Sequence, residues 1–396
     1  DVSNGTDFSV MFYSTREFNQ DISKWNVSKG RDFAWMFQYA NSFNQDIGDW
    51  DVSNATSLYR MFALSAFNQD LSNWTVNENV YFLNIFAGAD LMQSNQGVGD
   101  TPSIYYFNPF PNKATLQTAV DAWIDDQDAA KELYGDINKW DVSEITDFSS
   151  LFRDKTTFNS DISNWDVSNA TNFSQVFYGA ESFNQDISNW NVSSGTYFGE
   201  MFGNATEFDQ DIGDWDVSAG TNFLNMFYQA RAFNQDISSW NVSNSTDLSH
   251  MFYGAIAFNQ DISSWNVANN NTFRYMFGNS TAFDQDIGDW DVSNGTDFSG
   301  MFSSAEAFNQ DIGNWDVSNG TDFSSMFSSA EAFNQDLSTW TPSENASLTY
   351  MFEGADLMQS NQGAGETPSI YYFYPYVFTN KTSLQTAVDE WIDDQD

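Results

Sequence analysis

Three residue sets in this chain could do chemistry. The first is its one histidine, His250, in a sequence with no cysteine at all. A Ser-His-Asp nucleophile would have to be built on that imidazole. Sister repeats fill the same place with ordinary polar residues, so no enzyme is expected. The second is a column of aspartates four residues before each repeated Trp, from Asp21 and Asp46 to Asp311 and Asp336. Stacked at about 4.8 Å, neighbouring carboxylates would repel by roughly 0.8 kcal/mol in water. Either each accepts backbone N–H bonds in an Asx-turn, or Ca²⁺ lies between them. The best Ca²⁺ candidates are Asp211, Asp214, Asp216, Asp286, Asp289 and Asp291, in two copies of D-I-G-D-W-D. No cofactor is required by this reading. Strand alternation would split those side chains between faces.

The third set is the N-x-[ST] glycosylation sequons. They fall at Asn4, Asn26, Asn54, Asn73, Asn169, Asn172, Asn191, Asn204, Asn241, Asn244, Asn270, Asn279, Asn294, Asn319, Asn345 and Asn380. Many belong to the repeat, where the Asn could serve a turn instead. Asn204 and Asn279 lie outside that register, within GNATEFDQDIGDW and GNSTAFDQDIGDW, an echo of period 75. Together with Asn380 in a later loop they are the better evidence for N-linked glycans, given a secretory eukaryotic source.

The element that positions these groups is one repeated unit, clearest at 166–190 as DVSNATNFSQVFYGAESFNQDISNW. Trp140, Trp165, Trp190 and so on to Trp340 close nine consecutive units at constant spacing; Trp25, Trp50 and Trp74 close three earlier ones. A fixed period of 20–50 residues marks a solenoid whose units bury apolar faces against each other. With the Trp as zero, apolar columns fall at −3, 0, +2, +8, +11, +12 and +18. They predict Trp165, Val167, Phe173, Phe177, Phe183 and Ile187 as core, with Asn169 and Asn184 at turns.

The stretch I-x-x-W-x-V-x-N-x-x-x-F approximates the leucine-rich-repeat skeleton, with the Asn one place early and the next apolar residue one place late. The expected fold is therefore a leucine-rich-repeat-like solenoid. Each coil would hold one short parallel strand at W-x-V and a short helical or 3₁₀ piece at F-x-x-M-F. The run W-D-V-S-N-x-T-D-F-S-x-M-F-x-x-A-x-x-F-N-Q-D-I-S resembles the repeat of BspA-like surface proteins, a divergent leucine-rich-repeat type of mycoplasma surface lipoproteins, other bacteria and some protists. The resemblance covers about nine-tenths of the chain. It implies a surface-exposed, non-enzymatic solenoid and names no ligand.

Four segments follow. Residues 1–88 carry coils; 89–135 hold a connector loop and an amphipathic helix; 136–356 hold nine coils; 357–396 repeat the connector and helix. The helix reads from an N-cap at Thr115, with Leu116, Ala119, Val120, Trp123 and Ile124 on one face and Gly135 as stop. It caps or joins solenoid blocks.

Thirteen basic against 55 acidic residues give a formal charge of −42. That disfavours nucleic acid and anionic membranes. No apolar run is long enough to span a bilayer. The expected setting is extracellular, at the cell surface. The chain starts in mid-unit and stops inside its second connector helix. Both ends read as unfinished, which predicts a head-to-tail homopolymer or tandem blocks, hence a filament. Near-uniform coils favour such a structural role over the alternative, an adhesin.

Overall fold

The computed structural model describes residues 1–373, 384–386 and 388–389. Two compact units make up the chain, one of residues 1–146 and 160–169, the other of 147–159 and 170–396. One coil per sequence repeat stacks within each, and the core columns lie inside: Trp165, Val167, Phe173, Phe177, Phe183 and Ile187 are all at most 3% exposed. Asn169 sits in a turn, whereas Asn184 does not.

The coil itself is not what the spacing predicts. Among the described residues there is no strand, only isolated parallel bridges such as Asn172 to Tyr197 and Tyr197 to Asn222. F-x-x-M-F is not helical either. In the coil after Trp190, i→i+3 bonds close turns from Val192 to Gly195, Phe198 to Met201, Phe202 to Ala205, Ala205 to Phe208 and Ile212 to Trp215. Glu200 and Asn204 stand at φ 59° and 57°, in the left-handed region. The same two places, +10 and +14, have positive φ in coil after coil, as at Trp35 and Tyr39 or His250 and Gly254. A left-handed residue breaks both a strand and a right-handed helix. The expected leucine-rich-repeat-like coil of strand plus helix is thus incorrect, and among the described residues a chain of linked turns takes its place.

Those turns carry the stacking. Alternate amides face the next coil: Phe198, Glu200, Phe202 and Asn204 donate to the carbonyls of Asn222, Leu224, Met226 and Tyr228 at 2.7–2.9 Å. The inter-coil ladder therefore runs through F-x-x-M-F, not through W-x-V. Behind it, phenylalanines form three stacks, at +8, +12 and +18. Phe202 lies 3.9 Å from Phe208 in its own coil and 5.7 and 5.6 Å from Phe177 and Phe227 in the coils either side.

In the first unit the connector closes the stack it interrupts. Asn108 pairs both backbone groups of Val76 through its side-chain amide, and Phe107 stacks 6.4 Å from Trp74 where the next Trp would be. The sequence predicts one helix capped by Thr115; the structure has two. Helix α1, Lys113–Asp125, is capped by Asn112, and helix α2, Gln127–Tyr134, by Asp126, whose extended backbone parts them. Leu116, Ala119, Val120 and Trp123 are buried and Ile124 is partly so. Trp123 packs edge-on 5.8 Å from Trp140, so α1 covers the coil that follows it.

In the second unit the connector returns with helix α3, Asp356–Gln362. Phe373 lies 6.3 Å from Trp340, repeating the earlier Phe–Trp stack. Among the described residues no helix is long and apolar enough to cross a membrane.

Candidate functional site

The aspartate column is spent on turns. From Asp21 to Asp336, each carboxylate four residues before a Trp accepts the backbone N–H two residues on, at 2.9–3.2 Å. Serine hydroxyl and amide bonds hold the carboxyls of Asp186, Asp236 and Asp261 below the usual aspartate range. Of the cation candidates, Asp211 and Asp286 bind the amides of Gly213 and Gly288, and Asp216 and Asp291 those of Ser218 and Ser293. Asp214 and Asp289 make no such turn. Among the described residues no three Asp, Glu or His groups converge in a geometry able to hold a metal ion.

The sequons divide by what their amides do. Asn54, Asn169, Asn244, Asn294 and Asn319 donate Nδ2, the atom a glycan would occupy, to a carbonyl of the preceding coil at 2.7–2.9 Å. Asn26, Asn172, Asn191 and Asn241 accept turn amides through Oδ1, and Asn4 accepts from Lys29. Asn73 and Asn345 are exposed. Asn270 is fully buried, 0% exposed, with its Oδ1 unpaired. Asn204 and Asn279 stand partly exposed in left-handed backbone, with no side-chain hydrogen bond among the described residues. Asn380 lies outside the described residues.

A face that sequence reasoning missed is built by the positive-φ turns. Side chains at +10 and +14, such as Trp35, Tyr39 and Leu64, are exposed, and aromatic residues gather at these places and at the neighbouring +9 and +13. In the first unit Tyr59 lies 5.4 Å from Trp35 and 5.3 Å from Tyr81, with the Arg60 guanidinium 5.6 Å from its ring centre. Tyr13 meets Tyr39 edge-on at 5.8 Å.

In the second unit the cluster is larger. Tyr228 stacks on Tyr253 at 5.2 Å, and Tyr275 lies 5.3 Å from His250 and 6.0 Å from Tyr253. Three tyrosines of this face lean over a glycine of the next coil. A Cβ on Gly203, Gly278 or Gly300 would sit 2.8, 2.8 or 2.1 Å from the ring of Tyr178, Tyr253 or Tyr275. A shallow groove of about 400 Å³ opens between the columns, lined by Tyr178, Glu200, Leu224, Asn225, Tyr228 and His250. His250 is half-buried. Burial first, then the Arg274 charge, lowers its pKa below the ordinary histidine value, against the pull of Asp247 and Asp297. Its ring contacts are aromatic, with Tyr253 and Tyr275, and among the described residues no hydrogen bond joins its imidazole to a nucleophile.

The sequence profile of a family described as "Mycoplasma protein of unknown function, DUF285" matches residues 1–98, 125–235, 213–310 and 272–391. The chain belongs to that family. In this DUF285 chain the four overlapping matches run over the repeated units, each spanning several coils. No curated protein matches the chain.

A second concavity of about 430 Å³ lies in the first unit of the DUF285 chain, where the connector has parted two coils. Lys139 bridges it to Asp70 at 2.7 Å. Burial raises the Asp70 pKa, but the bonds from Lys139 and Ser72 outweigh it and leave that carboxyl low. Beneath it Tyr106, desolvated and facing the Asp70 charge, is held far above the ordinary tyrosine pKa. This is a structural ion pair closing a seam.

The signal for the aromatic face was present in the sequence. A tyrosine whose matching place one repeat later holds glycine occurs at Tyr178–Gly203, Tyr253–Gly278 and Tyr275–Gly300. It is visible only once neighbouring coils are known to touch there.

Proposed function

We propose that the chain is a non-enzymatic, cell-surface repeat protein of the BspA-like kind that works by adhesion. The turn face is its contact surface. The observation that supports this is the clustering of aromatic side chains on that face, in coils whose core columns hardly vary. Exposed aromatic clusters are the usual material of protein contact sites, because one ring contributes a large contact area at low entropic cost. No catalytic role is assigned to His250 and no cation to the aspartate turns. The carboxylates already have donors, and the imidazole stands among rings.

A structural role in a glycosylated coat, with copies joined end to end, is the second reading. The open geometry of Asn204 and Asn279 favours the glycan part of it.

The test is attachment of the full chain to cells or matrix, compared with a variant carrying Tyr59→Ser, Tyr81→Ser, Tyr228→Ser and Tyr253→Ser. We expect attachment to fall at least about tenfold, a loss of roughly 1.4 kcal/mol, with the melting temperature little changed. Equal attachment by a folded variant overturns the adhesive reading.

A further inference from the structure

We propose that the groove between Tyr178 and His250 takes arginine side chains of a basic partner polypeptide. This deepens the adhesive reading and rests on it.

The chain shows the interaction in its own side chains. Arg153 places its guanidinium 5.0 Å from the centre of the Tyr178 ring, at one end of the groove. Arg274 lies 5.8 Å from Tyr275, which stacks on His250 at the other. In the first unit Arg60 sits on Tyr59 in the same manner. Among the described residues every cation over a ring is an arginine and every such ring is a tyrosine of this face. A planar guanidinium lies flat on a ring and is weakly hydrated, whereas a lysine ammonium is a compact, strongly hydrated charge.

Between the two ends the tyrosines carry no guanidinium. Tyr228 and Tyr253 stack only on one another and on neighbouring rings. Beside them Glu200 receives one bond, from Gln175 to Oε2 at 3.1 Å, and its Oε1 has no donor among the described residues. Arg153 already shows the complete arrangement: ring contact with Tyr178, a 2.7 Å bond to Gln175 Oε1 and a carboxylate, Asp154, at 3.5 Å. The middle of the groove offers the same three components, a tyrosine ring, an amide oxygen on Asn225 and a carboxylate on Glu200, with no cation over the ring among the described residues.

The partner's charge follows from complementarity. With 55 acidic and 13 basic residues, the chain attracts a basic polypeptide and repels an acidic one.

The experiment is calorimetric titration of the full chain, at about 0.15 M salt, with an oligo-arginine peptide, an oligo-lysine peptide of equal length and a neutral oligosaccharide. We expect the arginine peptide to bind about tenfold tighter than the lysine peptide. Tyr228→Leu, which keeps apolar volume but removes the ring, and Glu200→Gln should each weaken the arginine peptide about three- to tenfold. Tyr350→Leu, outside the groove, should leave it unchanged. Equal affinity for both peptides, unmoved by these substitutions, would mean diffuse charge attraction and overturn the proposal. So would oligosaccharide binding that is lost in Tyr228→Leu with no arginine preference, although the adhesive reading would then stand. That reading fails separately, through unchanged attachment of the four-tyrosine variant.

Discussion

The indole Nε1 of Trp215 donates to the carbonyl oxygen of Ile187, 28 residues earlier, at 3.2 Å. The same bond joins Trp240 to Ile212, Trp265 to Ile237 and Trp290 to Ile262. Each tryptophan thus fills its own coil and pins it to the one before. Trp215→Ala removes a buried ring and one of the two bonds to the Ile187 carbonyl, which keeps the Trp190 amide. We expect a loss of about 3–5 kcal/mol, read from urea unfolding of the full chain. Trp215→Phe should recover most of the packing but not the bond.

Asn270 is a fully buried polar residue without a full set of partners. Its Nδ2 bonds the Val267 carbonyl at 3.2 Å, but that carbonyl already receives the Asn270 backbone N–H at 2.9 Å. Its Oδ1 has no donor. Other coils place Ala170 or Gly295 there. Asn270→Ala should therefore stabilise the chain by about 1 kcal/mol, seen as a higher melting temperature. A lower one would show that the amide has a partner in solution.

The left-handed turns predict a sign for glycine substitutions. Ser304 has φ 57° and no side-chain hydrogen bond among the described residues, while its counterpart Gly354 has φ 68°. Ser304→Gly relieves a Cβ clash of about 1–2 kcal/mol and concedes part of that to unfolded-chain entropy. We expect a small net gain by chemical denaturation. Gly254→Val, a β-branched residue at φ 69°, should cost more than Ser304→Gly gains.

Two titrations follow from the bonding. Asp186 has its carboxyl lowered by the Ser188 hydroxyl and amide; Ser188→Ala should move it up toward an ordinary aspartate by NMR titration. His250 is lowered by burial and by Arg274. Its unfolded form takes up a proton first, so stability should fall as pH drops from about 6.5 toward the folded pKa and level off below it. His250→Gln should remove that slope below about pH 6.5.

If glycans are added, their positions should follow amide availability. Peptide mapping of native secreted material should find Asn204 and Asn279 converted by enzymatic deglycosylation, and Asn270 unmodified. Both Asn204 and Asn279 bare would leave the sequons as turn chemistry.

The period and the core columns were legible in the sequence. Burial repeats with the coil, and a Trp or Phe at the same place in each repeat has one physical explanation. The Asx-turn reading of the aspartates was also open there, because an Asp-x-Ser turn is local. The backbone path was not. Side-chain spacing at W-x-V and F-x-x-M-F suits a strand and a helix, but spacing says nothing about the sign of φ. The left-handed places were marked only by scattered residues such as Gly179, Asn204 and Asn279, beside tyrosines and serines that rarely adopt that conformation. Contact with the next coil decides it: four amides per coil find carbonyl partners only when +10 and +14 turn left-handed, and that bonding outweighs the local cost. The same decision turns Tyr228, Tyr253 and Glu200 outward together. Their meeting is a property of stacked coils, and no single repeat contains it.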